Sequence, residues 1–212
     1  MISDEPSAVE AEESIPPASA SDPALTEDLA LALLKRSALT APSLEKLAKN
    51  PALAKSRKVK IALIQHPRTP RHLSLSLLRH LYTFDLMTLA LMPVVAADIK
   101  IAVEEALINR LETISIGERM SLARRASARV VAALLGDTDM RVVNTALENS
   151  RLTQAMVAKS LLRHDSADSL AEAVRRNGKW PLRPEIQIAL QRRADRIAAN
   201  LPPERTTGDR EG

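Results

Sequence analysis

The side chains best suited to proton transfer or metal ligation near neutral pH are four histidines, His66, His72, His80 and His164. Their spacing does not assemble a centre. His72 and His80 stand eight residues apart, about two helical turns, and so do not form a close ligand pair. Asp85 and Asp165 are the nearest carboxylates in sequence, and any further ligand would have to come from a distant segment. His80 and His164 fit better near helix C-termini, where an imidazole meets free carbonyls. Among the acids, Glu104 and Glu105 are adjacent on one helix and point in different directions, while Asp137 and Asp139 suit a turn and an N-cap. The chain has no cysteine, which removes thiol catalysis, disulfides and thiolate metal sites. It also lacks a P-loop, a dinucleotide glycine fingerprint, an HExxH pair and a serine-hydrolase elbow. The expectation is a protein that is not an enzyme, with no catalytic residue, no metal site and no cofactor.

The basic residues carry the stronger signal. Residues 24–201 hold 28 Lys and Arg against 17 Asp and Glu, whereas residues 1–23 hold six acids and no base. Arginine doublets stand at Arg124–Arg125, Arg175–Arg176 and Arg192–Arg193. Lys58, Arg68, Arg119, Arg124, Arg125, Arg175 and Arg176 are the candidates for a basic binding face that attracts phosphate. A structural role competes with this one, because bases near helix C-termini complement the helix dipole; Arg175–Arg176, just before the stop signal Asn177–Gly178, fits that role. Tyr82, Phe84 and Trp180 are the only aromatic residues, which disfavours base stacking but leaves backbone contacts open. Trp180, directly before Pro181, is read as packing a joint between helices, with an exposed partner anchor as the alternative.

The elements that must position these residues are helices. The 45% hydrophobic fraction with 1% aromatics calls for a core of Leu, Ala, Val, Ile and Met, and no segment sustains period-two alternation. Residues 59–80 and 143–164 repeat at an offset of 84, sharing Ala62/Ala146, Leu63/Leu147, Thr69/Thr153 and the pentapeptide Ser-Leu-Leu-Arg-His at 76–80 and 160–164. Each copy reads as a helix end, a turn and a second helix, with Thr69 and Thr153 as N-caps and Pro70 in the first helical position. Thr26 caps a first helix, and further helices are expected over 43–50, 56–66, 83–92, 94–112, 116–127 and 130–135. Ser115 and Glu118 have capping-box spacing, Ser166 caps a helix over 167–177, and a last helix ends near Asn200.

One-sided helix pairs cannot bury their apolar faces alone, and an 84-residue offset is about two units of 40 to 45 residues. Partial echoes at Leu47–Ala48–Lys49–Asn50–Pro51, Ala106–Leu107 with Asn109, and Ala173–Val174–Arg175–Arg176–Asn177 extend the pattern. Over roughly residues 24–195 the chain resembles the HEAT-like α-helical repeat superfamily, including bacterial proteins built from degenerate helical repeats. The resemblance implies an all-α fold, a right-handed α-solenoid of about four HEAT-like helical pairs, and supplies no catalytic residue. The expected organisation is a disordered acidic arm over 1–23, a repeat domain over 24–201 and a disordered tail over 202–212. The longest uncharged run, 86–97, spans 12 residues and contains Pro93, too short for a membrane span, and the cytoplasm is the expected compartment. The function expected is a protein-interaction or scaffold module acting through the repeat surface, with an unidentified protein as partner. The alternative is binding of a nucleic-acid phosphate backbone by the basic face, and the oligomeric state stays open.

Overall fold

The structure, a computed structural model, describes residues 25–164 and 166–200. The arm expected over 1–23 and the tail over 202–212 lie outside the described residues. The fold is all-helical, with no strand among the described residues. It divides into two compact units, Met1–Arg110 and Leu111–Gly212. The first holds α1 (Glu27–Leu34), α2 (Ala41–Lys49), α3 (Arg57–Gln65), α4 (Arg71–Leu78), α5 (Thr83–Leu91) and α6 (Ala97–Ile108). The second holds α7 (Ile116–Arg125), α8 (Ala128–Ala133) with a following 3-10 turn (Leu134–Gly136), α9 (Met140–Leu147), α10 (Gln154–Leu162), α11 (Asp168–Arg176) and α12 (Pro184–Asn200).

Many of the helices are bounded locally, by a cap at the start or a proline at the end. Thr26, Ser56, Asp139 and Thr153 each accept a backbone N–H from the first turn of α1, α3, α9 and α10. Ser115 and Glu118 close a reciprocal capping box at the start of α7, the Ser115 amide donating to Glu118 at 3.0 Å and the Glu118 amide to Ser115 at 3.3 Å. Pro51, Pro67 and Pro93, which have no N–H to continue a helix, follow within two residues of the ends of α2, α3 and α5. Helices of this length are marginal alone, so packing must hold them.

Within the first unit α3 packs against α1, α4 and α5, and α6 against α4 and α5. Within the second, α9 packs between α7 and α11, and α10 packs against α8 and α12. The buried faces are aliphatic: Leu44, Leu47, Leu63, Leu86, Leu89 and Leu107 in one unit, Leu122, Leu134, Leu135, Leu147 and Leu161 in the other. The exception is Trp180, only 1% exposed, whose Nε1 donates to the Leu147 carbonyl at 2.8 Å. It packs the joint between α9 and the α11–α12 loop, as the sequence led one to expect.

Three local expectations are corrected. Thr69 does not cap α4: Pro70, with ψ of 137°, is still extended and occupies the N-cap position, and the Thr69 hydroxyl donates back to the Leu63 carbonyl. Ser166 does not cap α11, whose N-cap position falls to Ala167. The shared pentapeptide does not occupy equivalent places either. Ser76 is exposed and donates to Leu73, whereas Ser160 is buried. The structural register of the two copies therefore runs one residue short of the 84-residue offset, with Pro70 standing where Thr153 stands.

Candidate functional site

The positioning device is a side chain just past a helix end that reaches the end of the neighbouring helix. At the C-cap of α3, His66 Nδ1 accepts from the Arg68 amide at 3.2 Å. Its Nε2 therefore carries the proton and donates to the Arg36 carbonyl after α1, 3.1 Å away. Past α9, Asn149 repeats the arrangement: Oδ1 accepts from the Arg151 amide and Nδ2 donates to the Ala123 carbonyl of α7, both at 2.8 Å. Past α11, Asn177 Oδ1 accepts from the Lys179 amide at 2.9 Å and Nδ2 donates to Glu148 at 2.7 Å. Asn50 makes the same local turn with Ala52 after α2. The buried His66 imidazole and Asn149 amide thus each supply a donor to a free helix-end carbonyl, whereas Asn177 serves a carboxylate. His66 is the imidazole that serves such a carbonyl, whereas His80 and His164 are exposed.

Arginines do similar work. Arg68 donates to Ala38 and Arg151 to Arg125, beside the His66 and Asn149 bonds. Arg110 reaches Leu81 and Leu78 past the end of α4. From α12, Arg193 donates to Leu161, Ser166 and Asp168, and Arg196 to Leu162 and Arg163 around the end of α10. Much of the basic excess seen in the sequence is therefore spent on helix C-termini within each unit, where cations complement the dipole.

The seven candidates for a basic face divide accordingly. Arg119 is largely buried, 15% exposed, pairs with Asp137 at 2.9 Å and donates to Leu111 and Ile114. It serves the loop before α7, and little of it reaches solvent. Lys58 pairs with Glu27 at 3.1 Å, and Arg68 bonds Ala38; both belong to the first unit. Glu27 also accepts from the Ser56 hydroxyl at 2.7 Å, and that bond, then Lys58, holds its carboxyl below the usual range. Arg176 pairs with Glu172 on its own helix. Arg124, Arg125 and Arg175 are exposed, and no acid pairs with them among the described residues.

Those three arginines are brought to one edge. The Asn149 and Arg151 bonds tie the end of α9 to the end of α7, and the Asn177 and Trp180 bonds tie the end of α11 to that of α9. The C-termini of α7, α9 and α11 therefore lie side by side, carrying Arg124, Arg125, Arg151, Arg175 and Lys179. Arg151 and Lys179 were missed by sequence reasoning. Their signal was position: each stands two residues after an asparagine that closes a helix.

No family model matches the chain, and no curated protein or solved structure shows significant similarity to it.

A second feature lies in the first unit. Between α1 and α3 runs a groove of about 460 Å³, mostly apolar, lined by Leu31, Leu34, Ala62, Pro67 and Val94 together with Lys35, Ser37, Gln65 and His66. Val94 is 59% exposed, an aliphatic side chain left in water beside an apolar furrow. The comparable furrow between α9 and α11 is polar, lined by Asn144, Thr145, Glu148, Arg176 and Asn177. Among the described residues no cluster of three metal-ligating side chains occurs, and no helix is long and apolar enough to cross a membrane.

Proposed function

We propose that the protein is a non-enzymatic interaction module, a HEAT-like stack of helical pairs that holds a partner protein. The groove between α1 and α3 is its docking site. One observation carries this reading: Val94 and the aliphatic lining of Leu31, Leu34 and Ala62 form an open apolar furrow. Lys35 lines it, and Arg36 and Arg68 stand exposed at the adjoining helix ends, so the charge around it is positive. The occupant that suits both properties is an extended peptide with one aliphatic anchor and acidic flanks. The α1–α3 contact is closed by His66 and Arg68, so the furrow is preformed and binding costs little ordering.

Selection of a displayed peptide library on the full-length protein tests the reading. Enriched peptides should share an aliphatic residue flanked by Asp or Glu, and Val94→Asp should abolish their capture. Enrichment without that pattern, or capture that survives Val94→Asp, would sink it.

A further inference from the structure

We infer that the edge formed by the C-termini of α7, α9 and α11 binds the phosphodiester backbone of a nucleic acid. This is a separate surface, in the second unit, and does not rest on the groove. Five exposed cations, Arg124, Arg125, Arg151, Arg175 and Lys179, share it. Two acids stand on the same helix ends: Glu172 pairs with Arg176, and Glu148, which accepts from the neutral Asn177 amide, leaves one carboxylate charge against the five cations.

Helix C-termini ordinarily repel anions, because their free carbonyls hold the negative end of the dipole. Here carbonyls at the ends of α7 and α9 are covered. Ala123 accepts from Asn149, Arg125 from Arg151, and Leu147 from Trp180. Dipole compensation at the end of α7 is thus met by Asn149 and Arg151, which leaves Arg124 and Arg125 to face solvent, and Arg175 at the end of α11 is exposed and unpaired with any acid among the described residues.

The chemistry of the edge selects its partner. A protein interface has an apolar centre, whereas the furrow between α9 and α11 at this edge is mostly polar, lined by Asn144, Thr145, Glu148, Arg176 and Asn177. Four of the five cations are arginines, whose planar forks match phosphate oxygens better than a lysine ammonium does. Helices in contact lie about 8–10 Å apart, so three ends present a charged track of about 20 Å. The only nearby ring, Trp180, is buried with Lys179 over its face at 4.2 Å, so no base stacks there. Recognition is by backbone and independent of sequence.

The test is fluorescence anisotropy of the full-length protein with labelled random-sequence duplex DNA and single-stranded RNA across a salt series. Five neutralised phosphates predict a log–log salt slope approaching about −4.5 on duplex and about −3.5 on a single strand, and the two arms identify which backbone is bound. Arg124→Glu with Arg125→Glu should lower affinity at least tenfold and flatten the slope by about 2. The charge-matched pair Lys159→Glu with Arg192→Glu, exposed on α10 and α12, should change affinity less than threefold. Arg124→Gln with Arg125→Gln, which adds no repulsion, serves as a second variant with an intermediate loss. Absence of binding at low salt, equal losses from the edge and control pairs, or tighter binding to polyglutamate than to either nucleic acid would overturn the proposal.

Discussion

Replacing Asn149 with alanine should destabilise the second unit by about 2–4 kcal/mol. The side chain is buried and makes two bonds of 2.8 Å. Ala123 is fully buried, so its carbonyl loses the Nδ2 donor with no water to replace it, a cost of about 1–3 kcal/mol. The Arg151 amide belongs to an exposed residue and recovers a water, so its loss adds about 0.5–1 kcal/mol. The chain contains one tryptophan, Trp180, which packs on Leu147 and reports unfolding of this unit by fluorescence. With a urea m-value of about 2 kcal/mol/M, the midpoint should fall by about 1–2 M. Asn149→Asp should be at least as damaging, because it turns the donor into a second acceptor facing Ala123. Asn149→His should recover part of the loss, since His66 makes the same pair of bonds in the first unit. Asn144→Ala, exposed on α9, should move the midpoint by less than about 0.3 M. A wild-type midpoint for Asn149→Ala would refute the claim that this side chain ties α9 to α7.

Two smaller predictions concern helix starts. Ser115→Ala removes the acceptor for the Glu118 amide and should cost about 1 kcal/mol, a drop of about 0.5 M in the same urea titration, which Ser115→Thr should largely restore. Asp139 is held at about 2 by the Arg141 side chain first and the Arg141 amide second, well below an unfolded carboxylate near 3.9. The unfolded chain takes up this proton first as pH falls, so the stability it contributes is present above about pH 4 and is lost towards pH 2. Thermal melts should show a gap between wild type and Asp139→Asn that is constant from neutral pH to about pH 5 and narrows below pH 4; a gap unchanged at pH 2 would contradict the pairing.

Helix boundaries were legible because they rest on local chemistry: Thr26, Ser56, Ser115 and Asp139 announce starts, and Pro51, Pro67 and Pro93 announce stops. The buried role of Trp180 was legible too, from its isolation beside Pro181. The identical pentapeptides misled, because Leu-Leu pairs satisfy a helix face in either of two adjacent registers. Ser76 in water and Ser160 in the core show that burial had to decide between them. The division of labour among the arginines was not legible. Arg193 reaches a carbonyl 32 residues away and Arg151 one 26 residues away, distances in sequence that only packing can bridge. Arg124 and Arg193 each belong to a doublet on a helix, yet one faces solvent and the other is buried.

The groove in the first unit is the feature on which the functional reading stands. Its most direct measurement is the dissociation constant of a single labelled peptide, one aliphatic anchor between acidic flanks, titrated against full-length wild type and Val94→Asp, with circular dichroism confirming that both are folded. The account predicts saturable binding by the wild type and at least a tenfold loss in the variant. Equal affinity for the two proteins would place the partner elsewhere and contradict the assignment of the α1–α3 groove.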